Sequence, residues 1–368
     1  MTALCFLGFL LPVCVYGAED MVILGTQTLE KAQVLEVQSQ ADTLIPGTGA
    51  KSKTQHIRVL VLEGPEKDMT LALDNDYVQL KKGDVFYLRH THDADAGDMY
   101  SVADPYRLNV LLLLGGLFLV LVVVIGGLQG IRGVLSLAGS LLLIFYVLLP
   151  GILHGYSPIL VAVGVSSLVI IAGSYITHGF NRTTSAAVCG MIVTVIVVGA
   201  IGYASVLAAH LTGYSSEEST YLTFNSNGTI DLVGVVFGGI MIGLLGVLYD
   251  IAIGQAVAVE ELFRAGKGHV TRREVYKRAS RIGREHIGAL VNTLAIAYVG
   301  AALPLLLLFR TTNASIGYTL NTELFATEII RILVGSIGLI LAVPITTLIA
   351  LYFVEGTGGS SSGHSHAH

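Results

Sequence analysis

Charge is scarce in this chain: 13% of its 368 residues are Asp, Glu, Lys or Arg, about half the share of an average soluble domain. Cysteine is nearly absent as well. Of three cysteines, Cys5 and Cys14 fall in the first seventeen residues, and Cys189 is the one thiol beyond them. That excludes a disulfide framework and a cysteine metal cluster. The chain also lacks H-E-x-x-H, G-x-S-x-G and Walker A patterns, so metalloprotease, serine hydrolase and ATP-driven chemistry have no motif to stand on. No enzyme activity, cofactor or nucleic-acid partner is expected.

What is present is apolar. Hydrophobic residues make up 53% of the chain and the mean hydropathy is +0.72, which makes the lipid bilayer the expected partner of most of it. A helical span needs about 20 apolar residues, and the sequence after Arg107 supplies that length repeatedly. Seven spans are predicted: Leu108 to Leu128, Val134 to Leu153, Pro158 to Thr177, Thr184 to Leu211, Leu232 to Val259, Ile287 to Phe309 and Ala326 to Val354. The predicted fold class is thus an α-helical polytopic membrane domain, 108–354, behind a small N-terminal β domain.

Residues 1–17 are apolar but short for a span and carry no Lys or Arg; they read either as a cleaved signal peptide or as a retained anchor. Residues 18–107 form a polar block. Within it Leu29 to Gln38, Thr54 to Leu62, Met69 to Leu73, Asp84 to Thr91 and Met99 to Ala103 are rich in β-branched and aromatic residues. Turn signals such as Gly64-Pro65 and Lys82-Gly83-Asp84 separate them, which predicts five short strands in a barrel-like or sandwich arrangement. The tail, 355–368, is a Gly/Ser run ending in alternating histidines and reads as a flexible linker.

Orientation follows from charge placement. With the β block outside, the inward connections hold Arg132, Arg182, Arg264, Lys267, Arg272, Arg273, Lys277, Arg278, Arg281 and Arg284. The outward ones hold Arg310, with Arg331 just inside the last span. This is the positive-inside bias, and it predicts a plasma-membrane protein with the β domain outside and the tail inside. In the inward loop 260–286, Thr271 and Glu274 form a capping box, and Val275, Ala279 and Ile282 face away from the basic residues. That segment reads as a basic amphipathic helix on the inner leaflet or as a plain topology anchor.

Asp250 stands out. Eighteen uncharged residues separate it from Asp231, and the next charge is Glu260. A carboxylate inside an apolar helix costs a few kcal/mol, and such groups usually mark an ion or proton path. Gly239, Gly243, Gly246, Asp250, Gly254 and Ala258 recur at steps of three or four, so the helix-packing glycines and Asp250 share one side, expected to face the bundle. Ala289, Thr293, Ala297, Gly300 and Pro304 form a similar stripe in the sixth span with Asn292 at its edge. Gly335, Gly338, Ala342, Thr346 and Ala350 form another in the seventh. By rise per residue, Asp250, Thr293 and Thr346 lie at similar depths, about 9 to 13 Å from the inner helix ends. Asp250, Asn292, Thr293 and Thr346 are therefore the expected coupling residues of one polar pocket. The plainer reading is that Asp250 only hydrogen-bonds across the bundle.

Two clusters invite a metal. Asp93, Asp95 and Asp98 alternate after His90 and His92, but the glycine and distal Glu of a complete calcium loop are missing, which leaves a solvated acidic turn. The terminal histidines are the other, and no metal site is predicted at either.

The runs Gly238-Gly239-Ile240-Met241-Ile242-Gly243-Leu244-Leu245-Gly246-Val247-Leu248-Tyr249-Asp250, His286-Ile287-Gly288-Ala289-Leu290-Val291-Asn292-Thr293 and Val343-Pro344-Ile345-Thr346 resemble the YibE/F-like family of bacterial multi-pass membrane proteins. The likeness runs from about Leu29 to Val354 and implies a membrane protein, often labelled a permease, with no substrate attached. The layout is also similar to the membrane half of SecF and resistance-nodulation-division proteins, by analogy alone, with the departure that this chain lacks a second acidic residue deep in the membrane. Two functions follow as expectations. One is a secondary transporter or permease using Asp250. The other is a non-transporting assembly or export accessory whose β domain binds an envelope protein, with homo-oligomerisation compatible with either.

Overall fold

The computed structural model describes residues 26–44, 51–93, 97–226, 228–266, 269–311 and 315–354. The signal or anchor segment, the histidine tail and residues 94–96 of the acidic loop lie outside them. The chain divides into two units, 1–120 and 121–368.

The first unit contains five strands: β1 (Thr26–Leu44), β2 (Lys51–Val61), β3 (Thr70–Asn75), β4 (Val85–Asp93) and β5 (Gly97–Pro105). All five predicted strands are present, each longer than expected. They form one antiparallel sheet in the order β3-β2-β1-β4-β5, with β3 and β5 as its edges. Alternation places Ala32, Val34, Ile57, Val59, Phe86 and Leu88 together in the core, each at most 1% exposed. Register shifts at Val34/Glu36 and Val37/Ser39 are the extra residues that bend and twist a long strand over such a core. Gln55 is buried without penalty, because it accepts from Leu80 N at 2.8 Å and donates to Leu80 O at 3.0 Å.

After the sheet come α1 (Leu108–Leu143), a π turn (Ile144–Leu148), α2 (Leu149–Leu153), α3 (Pro158–His178), α4 (Arg182–Ala208), α5 (Glu217–Asn225), α6 (Leu232–Ala265), α7 (Arg272–Ala301), α8 (Leu303–Thr311), α9 (Ile316–Asn321) and α10 (Glu323–Val354). Among the described residues, five segments are long and apolar enough to cross a membrane: Leu108–Leu153, Pro158–His178, Arg182–Ala208, Leu232–Ala265 and Glu323–Phe353. A sixth arises if α7 and α8, bent by 62°, count as one. The bend falls where Pro304 enters, since proline lacks a backbone donor and disfavours a helical residue before it. The predicted split between a loop helix and a separate sixth span is not seen: α7 runs unbroken from its Thr271–Glu274 capping box into the apolar stretch.

Leu108–Leu153 spans 46 residues, about 69 Å if straight, and it is not straight. Gly127 has φ 54° and ψ −139°, a conformation open to glycine. Across that break Gly130 comes against the Val122 carbonyl, eight positions back.

In the second unit α4, α6 and α10 pack around Met191, Val195, Val198, Phe237, Met241 and Leu244. Asn181 caps α4 by accepting from Thr184 N at 2.7 Å, and Asp231 caps α6 by accepting from Gly234 N at 3.1 Å. Asn181→Ala is expected to cost about 1 kcal/mol, read as a lowered unfolding midpoint in detergent.

The glycine stripes divide. On α10, Gly335, Gly338, Ala342, Thr346 and Ala350 are buried as expected. Gly190 of α4 sits so close to Thr346 that an added Cβ would meet its Cα and Cβ at 3.0 Å. On α6 the expectation is reversed. Gly239, Gly243, Gly246, Asp250 and Gly254 are exposed, while Leu244, Leu248, Ile251, Ala252, Gln255 and Val259 are buried. Gly243 still receives the Tyr298 hydroxyl and Gly239 lies near Arg331, but Gly246 and Gly254 face open space.

Candidate functional site

Asp250 lies on the exposed side of α6, one residue after a fixed point. Tyr249 donates its hydroxyl to Gly173 O of α3 at 3.1 Å, and the His178 ring lies 5.9 Å from the Tyr249 ring. That contact joins Asp250's helix to the rim of a cavity of about 620 Å³. The end of α3 supplies His178 to it, and the start of α4 supplies Asn181, Arg182 and Thr183. From α6 come Ile253, Val257 and Glu260. Ile253 and Val257 follow Asp250 by three and seven residues, so they continue its side of the helix over about 10 Å of rise. Glu260 closes the far end, accepting from Thr183 Oγ1 at 2.5 Å and from Arg264 Nη2 at 2.9 Å.

The four expected coupling residues are not equally placed. Asn292 and Thr293 are exposed on α7, and Thr293 donates to Ala289 O of its own helix at 2.9 Å. From the Gly243–Tyr298 contact, the antiparallel rise sets Asn292 about level with Asp250. Thr346 is wholly buried against Gly190, and its hydroxyl has no hydrogen-bond partner among the described residues. One enclosed pocket formed by all four is therefore not observed. Asp250, Asn292 and Thr293 open outward, whereas Thr346 belongs to the α4–α10 contact.

The sequence reading missed the residue that does tie the helices together. Gln255, 3% exposed, donates to Ala279 O of α7 at 2.8 Å and to Thr347 Oγ1 of α10 at 2.7 Å. It was legible as an amide in the same uncharged run as Asp250, but counting charges alone passes over it. A second omission is the Arg331–Glu328 pair of α10, N to O 2.5 Å, with the Arg331 guanidinium 6.0 Å from the Tyr298 ring. Its signal was the acid-base spacing of three on a helix.

With this geometry in view, comparison with protein families is decisive on kinship. The profile of the YibE/F-like protein family matches residues 114–356. The chain belongs to this family. No curated protein and no solved structure matches it, so membership in the YibE/F-like family, with its several apolar helices, points to a membrane protein and assigns no activity. The matched stretch takes in α1 from residue 114 on and α2 to α10 whole, including Asp250, Gln255 and the cavity.

In the N-terminal sheet, His90, His92 and Asp98 are joined by hydrogen bonds. Asp98 Oδ1 contacts His92 Nδ1 at 2.6 Å and His90 Nε2 at 3.1 Å. Among the described residues no group of three or more His, Cys, Asp or Glu is arranged to hold a metal ion. The hydrogen bond from His92 first, and that from His90 second, hold the Asp98 carboxyl below its ordinary range. A carboxyl lowered on folding stabilises above its unfolded value, about 3.9, and that contribution is lost as pH falls through the folded value. Asp98→Asn should thus lower the melting temperature at neutral pH, and the difference from wild type should shrink as pH falls below about 3.9, as thermal scans over that range would show.

Proposed function

We propose that the protein is a secondary transporter or permease of the plasma membrane in which Asp250 couples proton or cation movement to helix rearrangement. The observation that carries this reading is the cavity that continues along the Asp250 side of α6. A carboxylate in an apolar helix is costly unless water or a partner reaches it, and the cavity supplies an approach from the helix ends near His178 and Glu260. By the distribution of Lys and Arg, that end faces the cytoplasm. Read as two passes on either side of the Gly127 break, the first long apolar stretch would bring the total, with the bent α7–α8 pair, to seven, the count that keeps the β domain outside and the tail inside in this reading. Asp250, Asn292 and Thr293 line the path in this reading, and Thr346 is a packing residue.

The reading is tested by reconstituting the protein in liposomes and imposing a pH gradient. Gradient decay that requires Asp250 supports it. Decay that is identical in protein-free liposomes removes it.

A second reading, a non-transporting assembly accessory, is favoured by one observation: the outward face of Gly246, Asp250 and Gly254 has room for another helix. In that case Asp250 holds a partner, and crosslinking through Gly246→Cys captures a protein in fixed ratio while no flux is seen.

A further inference from the structure

The inner face of the N-terminal sheet does not end with its apolar core. Phe86 and Leu88 on β4 are followed on the same face by His90 and His92, because side chains alternate along a strand. The cross-strand rows are fixed by the pairing: Glu30, Leu88 and Val102 form one, and Thr28, His90 and Tyr100 the next. Glu30 is thus a diagonal neighbour of His90 at the edge of the core, and it is only 4% exposed.

Neither oxygen of Glu30 has a hydrogen-bond donor among the described residues, and the same holds for Glu66 Oε2. The Glu30 carboxyl lies against Gly64, whose φ of +100° and lack of a Cβ make room for it; a Cβ there would come within 2.5 Å of Glu30 Cδ. Glu66 follows two residues later in the same turn. Its Oε1 accepts from the Tyr100 hydroxyl at 2.6 Å. Burial first, and then this bond and the charges of Glu66, Asp98 and Glu30, raise the Tyr100 hydroxyl above the usual phenol range, so Glu30 and Glu66 act on the same spot. A desolvated carboxylate without a donor is strongly unfavourable. Three such oxygens on two neighbouring side chains need a positive partner.

The nearby bases do not supply one. Lys31 pairs with Glu63 at 2.9 Å. The imidazoles of His90 and His92 are turned to Asp98, and His90 Nδ1 stands 3.7 Å from Glu66 Oε1, beyond a hydrogen bond. What is left is an oxygen donor set, Glu30 Oε1 and Oε2 with Glu66 Oε2, that no protein donor among the described residues reaches. Oxygen donors select hard cations over zinc or copper.

We infer that Glu30 and Glu66 form a binding site for a hard divalent cation of the calcium class, closing the β2–β3 turn onto the sheet. The Tyr100 hydroxyl orients Glu66 by occupying its other oxygen. With two carboxylates, affinity belongs to the weak class of extracellular calcium modules, about 10⁻⁴ to 10⁻³ M. The inference stands apart from the transport reading, because no residue is shared.

The test is equilibrium dialysis of the full chain in detergent against radioactive Ca²⁺, from about 10 µM to about 10 mM. The wild type takes up one ion saturably. Glu66→Gln and Glu30→Gln each weaken uptake by at least about tenfold, while His92→Asn changes it less than about twofold. Glu66 is partly exposed, so Glu66→Gln keeps the test valid should Glu30→Gln fail to fold. Absence of saturable uptake in the wild type, uptake that persists in Glu66→Gln, or uptake lost through His92→Asn alone would overturn the site.

Discussion

Asp250→Asn is expected to leave the protein folded and to reduce proton flux in proteoliposomes by at least about 100-fold, the scale on which a positioned proton-transfer group acts. Asparagine keeps the size and hydrogen-bonding capacity of the side chain but cannot exchange a proton. The residue is exposed on α6, so the substitution removes no packing. Asp250→Glu retains the exchangeable group on a longer stem and should recover part of the flux. His178→Ala opens the cavity wall without touching the carboxyl and should alter the rate less than Asp250→Asn does. Equal flux in wild type and Asp250→Asn would show that the carboxyl does no coupling.

Gln255→Ala is expected to be the most destabilising single change in the helical unit, by about 3 kcal/mol. It combines a cavity at a buried position with the loss of two interhelical hydrogen bonds. Hydrogen bonds between helices in lipid average well under 2 kcal/mol each, so the cavity contributes much of the total. Gln255→Leu refills the volume and should cost less than half as much. Equilibrium unfolding of the three proteins in mixed micelles separates the two contributions. A cost for Gln255→Leu equal to that for Gln255→Ala would mean that the hydrogen bonds carry nearly all of it.

The two replacements also mark what the sequence discloses. Apolar stretches, strands and the Thr271 cap were legible because they depend on local chemistry; the number of passes was not, since two predicted spans fall within the single segment Leu108–Leu153, and the Asn181 and Asp231 caps appear only in the structure. Which side of an apolar helix packs inward was not legible. In lipid an apolar side is as well solvated by tails as by neighbours, so hydropathy gives no direction. The small residues of α10 are buried because Thr346 meets Gly190 and Gly338 meets Leu244 and Val198. The equivalent α6 stripe has Gly246 and Gly254 in open space, since Leu248 and Gln255 on the other side make the contacts. Spacing predicted both stripes equally, and only the shape of the neighbouring helices separates them. The same holds for Thr346, assigned to a pocket by depth and found instead as a knob between helices. Asp250 stands out in the sequence by its charge, but its surroundings had to come from three dimensions.

Coupling through Asp250 requires that water reach position 250 from the end of the bundle that carries His178 and Glu260. The direct measurement is thiol labelling of Asp250→Cys in a chain whose Cys5, Cys14 and Cys189 are replaced by serine, using a membrane-impermeant maleimide on vesicles of each orientation. Labelling from the side that carries His178 and Glu260, and not from the side of the β domain, is the predicted result. Labelling by a lipid-soluble maleimide alone would put the side chain among acyl chains and contradict the account.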